Sequence, residues 1–157
     1  MRIGIGYDIH RFGPGRPLVL GGVALPGETG LAGHSDADVV LHAVIDALLG
    51  AAALGDIGTH FPADEPEWKD VRSSVLLERT VALLLESTYA VENIDVTVIA
   101  EKPRLAPHVA ALRARMAELI GVPEAAVSVK ATTNERVGEI GRGEAIAAVA
   151  VALLREA

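Results

Sequence analysis

Ile3, Ile5, Tyr7 and Ile9 alternate with Gly4, Gly6, Asp8 and His10 at the start of this 157-residue chain. A period of two specifies a β-strand. It also sets Asp8 and His10 on one face, beside two glycines that leave room for a ligand. A second stretch, His34 to His42, reads as the opening of a helix. Ser35 is a natural N-cap, and Asp36 and Asp38 fall in a first turn where the helix dipole favours anions. The helix runs through Ala53 and stops near Gly55. His42 lies one turn after Asp38 and one turn before Asp46, and either carboxylate could orient its non-ligating nitrogen. A strand offering Asp8 and His10 and a helix offering His42 make a three-ligand site with a fourth position open, the form that catalytic zinc sites take. The plainer alternative gives His10 a hydrogen bond at a strand end and leaves His42 on a helix surface.

Composition narrows the chemistry. There is no cysteine, so thiolate ligands and disulfides are excluded, and any zinc is held by histidine and carboxylate. The net charge of -7, without a Lys/Arg cluster, argues against nucleic acid and anionic membrane surfaces as partners. No segment approaches the ~18 uninterrupted apolar residues of a membrane span, and the chain opens directly on a strand, so a soluble cytoplasmic protein is expected. Half the residues are hydrophobic but only 3% aromatic, so the core must be built from Ala, Val, Leu and Ile.

Along the rest of the chain, Pro14 to Pro17 reads as a turn, and Leu18 to Leu25, with Gly21-Gly22, as a hairpin or bulged strand. Asp56 to Lys69 is loop-like, and Ser73 to Glu86 is helical. Val91 to Ala100 is a strand, and a helix follows Pro107 and ends before Gly121. Val127 to Thr133 and Glu144 to Leu154 are strands, the last so apolar that both its faces should be buried. This order fits one α+β catalytic domain over residues 1–157. Its expected fold is a ferredoxin-like four-stranded core sheet with helices on one face, plus an N-terminal hairpin. Helices cover one face only, so subunits of an oligomer would have to cover the other.

The motifs Gly6 to Phe12, His34 to Pro62, Ala100 to His108 and Lys130 to Glu144 together resemble the 2-C-methyl-D-erythritol 2,4-cyclodiphosphate synthases, zinc enzymes of the non-mevalonate isoprenoid pathway. The resemblance implies a homotrimer with its sheets packed about the threefold axis and active sites between subunits. Zinc would sit on Asp8, His10 and His42, and magnesium or manganese on Glu135. His34 and Thr133 would stabilise the transition state. Asp8, His10, His34 and Ser35 would meet a substrate phosphate, and Asp56, Ile57 and Gly58, with Phe61 and Asp64, the erythritol. Ala100, Arg104, Leu105 and Ala106 would form a cytosine pocket, largely through backbone groups. Ala131, Thr132, Thr133, Asn134 and Glu135 would hold the diphosphate. Arg142 would line a cavity on the trimer axis.

Three positions depart from the family pattern. Ala63 stands where members often carry an acid directly after Phe-Pro, Arg104 replaces a usual lysine, and Glu139 replaces a usual phenylalanine. Read by themselves, Gly55 to Pro62 serve as a helix C-cap and turn, Ser35 as a cap, and Thr132 as strand filler. The implied reaction closes 4-diphosphocytidyl-2-C-methyl-D-erythritol 2-phosphate to the cyclic diphosphate with loss of CMP. A metal-dependent phosphodiesterase and a zinc-stabilised scaffold for isoprenoid phosphates are the rival readings.

Overall fold

In the computed structural model, which describes residues 1–157, the opening alternation becomes strand β1 (Arg2–Leu20). It continues through the Pro14–Pro17 segment expected to turn. Its first half pairs antiparallel with β5 (Ala145–Glu156), and its second half with β2 (Val23–Leu31). The prolines are accommodated where the β1–β2 register shifts, between Phe12 and Leu18, beside an edge strand. Gly21 and Gly22, at φ +59° and +76°, form the two-residue hairpin turn, which demands left-handed backbone at both positions.

The remaining strands, β3 (Tyr89–Ile99) and β4 (Val127–Thr132), complete one five-stranded sheet in the order β2-β1-β5-β3-β4. An all-antiparallel ferredoxin-like sheet does not result, because β3 and β4 pair in parallel. The helix between them, α4 (Val109–Ile120), makes the crossover that parallel neighbours require. The other helices are α1 (Val39–Ala52), α2 (Ile57–His60), α3 (Ser73–Glu86) and the single turn α5 (Gly138–Gly141). The Asp56–Lys69 stretch thus carries helical turns at Ile57–His60 and Pro66–Trp68 rather than plain loop. No helix is long and apolar enough to cross a membrane.

The helices cover one face, where a single core of 38 buried residues is aliphatic except for Phe61, Trp68 and Met116. The sidedness of β1 inverts the usual pattern. Its glycine and polar residues face the helices, while Ile3, Ile5 and Tyr7 are 72%, 71% and 55% exposed. Val149, Val151 and Leu153 pair beside them and are only half-buried, so within one chain the last strand is covered on one side. Contrary to the expectation from sequence, the glycines do not make room for a ligand. A Cβ on Gly6 would lie 1.9 Å from the Ala43 carbonyl oxygen, and one on Gly4 would lie 2.0 Å from that of Ala47. They let α1 rest its backbone directly on β1.

Candidate metal centre and substrate cleft

Helix α1 begins three residues later than its sequence suggested. Asp38, not Ser35, is the N-cap, and its carboxylate accepts from the backbone N–H groups of Val40 and Leu41. Ser35 Oγ instead accepts from Ala37 N, bracing the left-handed Ala37 (φ +59°) just before the helix. The same Asp38 carboxylate accepts from Gly21 N (2.9 Å) and Gly22 N (2.7 Å), fastening the hairpin turn to the helix. Burial pushes this carboxyl up to about 6, held back by the N–H groups of Gly22, Leu41 and Gly21 and raised further by Asp36. With both oxygens so committed, Asp38 does not orient His42.

Almost all of α1 is buried, except a stripe at His42, Asp46 and Gly50, one turn apart each. That stripe faces the Asp8–His10 side of β1. His10 Nε2 lies 2.8 Å from Asp8 Oδ2, His42 Nδ1 lies 3.0 Å from the same oxygen, and the two ring nitrogens are 3.2 Å apart. Ligands about 2.0–2.1 Å from one tetrahedral ion stand about 3.3 Å from one another, so the donor types and their spacing both fit zinc. His10 Nδ1 is 2.8 Å from the Ala32 carbonyl, which can only accept, so Nδ1 carries a proton and Nε2 is the nitrogen turned toward Asp8 and His42. Burial works against charge on Asp8, but hydrogen bonds from His10 and His42 and their attraction hold its carboxyl far below the usual range. Burial likewise opposes charge on His10, yet the Asp8 hydrogen bond and charge, with the Ala32 carbonyl, raise it.

The far nitrogen of His42 meets residues that the sequence did not single out for this role. His42 Nε2 is 2.9 Å from Ser73 Oγ, at the start of α3, and 3.1 Å from Ser35 Oγ. Ser73 Oγ donates to Asp36 Oδ1. Asp46 is turned elsewhere: its Oδ1 accepts from Ile57 N (2.8 Å) and so anchors α2 at the cleft wall. No one-turn spacing could reveal Ser73, which lies 31 residues from His42.

These elements enclose a cavity of about 240 Å³ that brings together Asp8, His10, His42, His34, Ser35, Ile57, Gly58 and Phe61 of the expected set. Ala63 lines it where Asp64 was expected, so the departure after Phe-Pro displaces that carboxylate to an exposed position. Trp68 packs edge-on to Phe61, with ring centroids 5.1 Å apart, and closes the apolar end. Asp56 stands just outside as the N-cap of α2, its Oδ1 accepting from Thr59 N and Oγ1. A larger groove of about 950 Å³ lies at the opposite end of the sheet, between Leu85, Tyr89 and Arg155, away from any group of ligating side chains.

The diphosphate and cytosine sets do not reach this cavity within one chain. Thr132 pairs with Ile99, which pairs with Ala147 beside Ile9, so three strand spacings, about 14 Å, separate β4 from β1. Thr133 and Glu135 follow β4 on an exposed loop, where Thr133 Oγ1 donates to Glu135 Oε1 (3.1 Å). Glu135 and Arg136 adopt left-handed backbone (φ +50° and +62°). Glu101 Oε1 holds the loop by accepting from Asn134 N (3.0 Å) and Arg136 N (3.1 Å), filling a nest of N–H groups. Of the cytosine set, Ala100 and Leu105 are buried in the core, while Arg104 and Ala106 are exposed. Arg142 is paired within its own chain, to Glu144 (2.6 Å) and Glu139 (3.5 Å).

One carboxylate and two histidines, carried on a strand and a helix of an α+β fold, form a group at a cleft that could hold a metal ion. The chain belongs to the YgbB family, whose sequence profile matches residues 1–155. A 2-C-methyl-D-erythritol 2,4-cyclodiphosphate synthase of Symbiobacterium thermophilum is 59% identical to it over 154 residues, 98% of each chain. The bifunctional IspDF from Campylobacter jejuni superposes with TM-score 0.96 at 38% identity, over 99% of this chain and 42% of that one. The IspF–CDP complex of Plasmodium falciparum superposes with TM-score 0.86 at 33% identity, over 99% of this chain and 96% of that one.

Proposed function

We propose that this protein is a 2-C-methyl-D-erythritol 2,4-cyclodiphosphate synthase of isoprenoid biosynthesis, a phosphorus–oxygen lyase that forms the cyclic diphosphate and releases CMP. The observation that carries this reading is the Asp8–His10–His42 triangle opening onto His34 and Ser35 in one cleft. It occurs in a chain 59% identical to a protein of that name. The 2-phosphate oxygen attacks the β-phosphorus, a new P–O bond closes the ring, and the bond to the CMP oxygen breaks. Both reacting groups belong to one substrate, so the protein's task is to hold two anions together in line. Zinc on the triad would polarise a phosphate oxygen, and magnesium or manganese on Glu135 would neutralise diphosphate charge. His34 and Ser35 offer donors to the phosphate, Ile57, Gly58 and Phe61 hold the erythritol, and Thr133 supports the transition state.

The protein acts as a homotrimer in which one subunit's Thr132–Glu135 loop and 100–106 loop complete a neighbour's cleft, a reading supported by the about 14 Å between β1 and β4 within one chain. The exposed Ile3, Ile5 and Tyr7 supply the apolar face that such packing would bury. The whole chain acts as one catalytic domain, placed in the cytoplasm with the rest of its pathway. Incubation with 4-diphosphocytidyl-2-C-methyl-D-erythritol 2-phosphate, zinc and magnesium, followed by phosphorus NMR, tests the reading. Cyclic diphosphate and CMP are expected in equal amounts. Linear phosphates without a cyclic product would instead make the protein a phosphodiesterase.

A further inference from the structure

Ser73 is fully buried at the start of α3, and the proposed reaction gives it no role. Its hydroxyl sits between Asp36 Oδ1 and His42 Nε2. A carboxylate only accepts, and both Asp36 oxygens already take backbone protons, from Asp38 N (3.2 Å) and Ser73 N (3.1 Å). The single hydroxyl proton of Ser73 therefore goes to Asp36. Ser73 Oγ is left to accept from His42, which places a proton on Nε2. Nδ1 is then the nitrogen that offers a lone pair beside Asp8 Oδ2 and His10 Nε2.

We propose that Asp36 and Ser73 are positioning residues for the metal centre: through one directed chain of hydrogen bonds they fix the ring of His42 and reserve Nδ1 for the ion. His10 achieves the same polarity with one backbone carbonyl, Ala32. His42 is on a helix whose carbonyls are spent on the helix itself, so a side-chain relay from α3 takes that place. The chain also sets Ser35. Its Oγ accepts from Ala37 N (3.1 Å) and shares the His42 Nε2 proton (3.1 Å). Its own proton is thus left for Ser73 Oγ at 3.4 Å or for a ligand oxygen in the cleft.

The test is zinc affinity, measured by competition with a chromogenic chelator in wild-type protein, Ser73→Ala, Asp36→Asn and Thr80→Val. Thr80 is equally buried on the same helix, but its hydroxyl bonds only Leu76 O, so its loss touches stability alone. Zinc binding should weaken roughly ten- to hundred-fold in the first two variants, as for other groups that orient a ligand, and stay unchanged in the third. Should Asp36→Asn fail to fold, Ser73→Ala, which removes one oxygen, carries the comparison. In zinc-loaded protein, nitrogen-15 NMR should show a slowly exchanging Nε2 proton on His42 that Ser73→Ala makes exchange rapidly. Wild-type affinity in both variants would overturn the inference while leaving the metal site standing. The inference rests on the triad being a metal site, so failure of the wild-type protein to bind zinc would remove both.

Discussion

His42 Nδ1 lies 3.0 Å from Asp8 Oδ2, although 34 residues separate them and one belongs to a helix and the other to a strand. Two missing side chains make that approach possible, since any Cβ at Gly6 would collide with the backbone of α1 at Ala43. Gly6→Ala should therefore push α1 off the sheet. The expected cost is roughly 1–3 kcal/mol of stability, as in other overpacked cores, together with loss of zinc binding. Chemical denaturation and metal analysis of the purified variant check both halves; a variant that binds zinc normally would show that the helix can shift without opening the triad.

Asp38 makes stability depend on pH in an unusual direction. Its carboxyl titrates near 6 in the folded protein, above about 3.9 for an unfolded chain. Between those values the folded state binds more protons, so this group's contribution to stability falls as pH rises from about 4 to about 6. In Asp38→Asn that slope should vanish while the lost N–H contacts lower stability throughout. Urea titrations of metal-free protein at several pH values compare the two; parallel curves would mean Asp38 is ionised across the range.

Glu101 organises the loop that carries Thr133 and Glu135. Glu101→Ala leaves Asn134 N and Arg136 N without their acceptor and frees two left-handed residues. Turnover should drop roughly ten- to hundred-fold, the scale of misplacing a reacting group, with zinc content unchanged. Glu101→Gln, which keeps an acceptor oxygen, should recover most of it. Equal losses in both variants would point to charge rather than loop geometry.

The proposed trimer, with sites shared between subunits, predicts complementation. Asp8→Ala and Thr133→Ala should each be inactive, and their mixture, dissociated and reassembled, should regain part of the activity. If mixed trimers form and remain dead at every ratio, each site lies within one chain.

Glu139 and Glu144 already occupy Arg142. If three copies meet on a threefold axis, the ring of carboxylates disfavours a ligand that is both anionic and apolar. Geranyl diphosphate should bind weakly, and Glu139→Phe should bind it measurably better by calorimetry. Tight binding unaltered by the substitution would place Glu139 away from that cavity.

By itself, the sequence determined the kind of each major element, the shared face of Asp8 and His10, the aliphatic core and the spacing that marks His42. Each follows from a period of two or of about 3.6 or from residue type, properties local to a few residues. The tertiary structure decided the rest. Sequence-level readings gave the helix cap to Ser35, ligand room to Gly4 and Gly6, and the orientation of His42 to Asp38 or Asp46. Packing gave these roles to Asp38, to a close helix–strand contact, and to Ser73 with Asp36. Those outcomes depend on which backbone groups of distant segments arrive within about 3 Å of one another. Backbone donors and acceptors are the same at nearly every residue, so no pattern of side chains announces where they will meet.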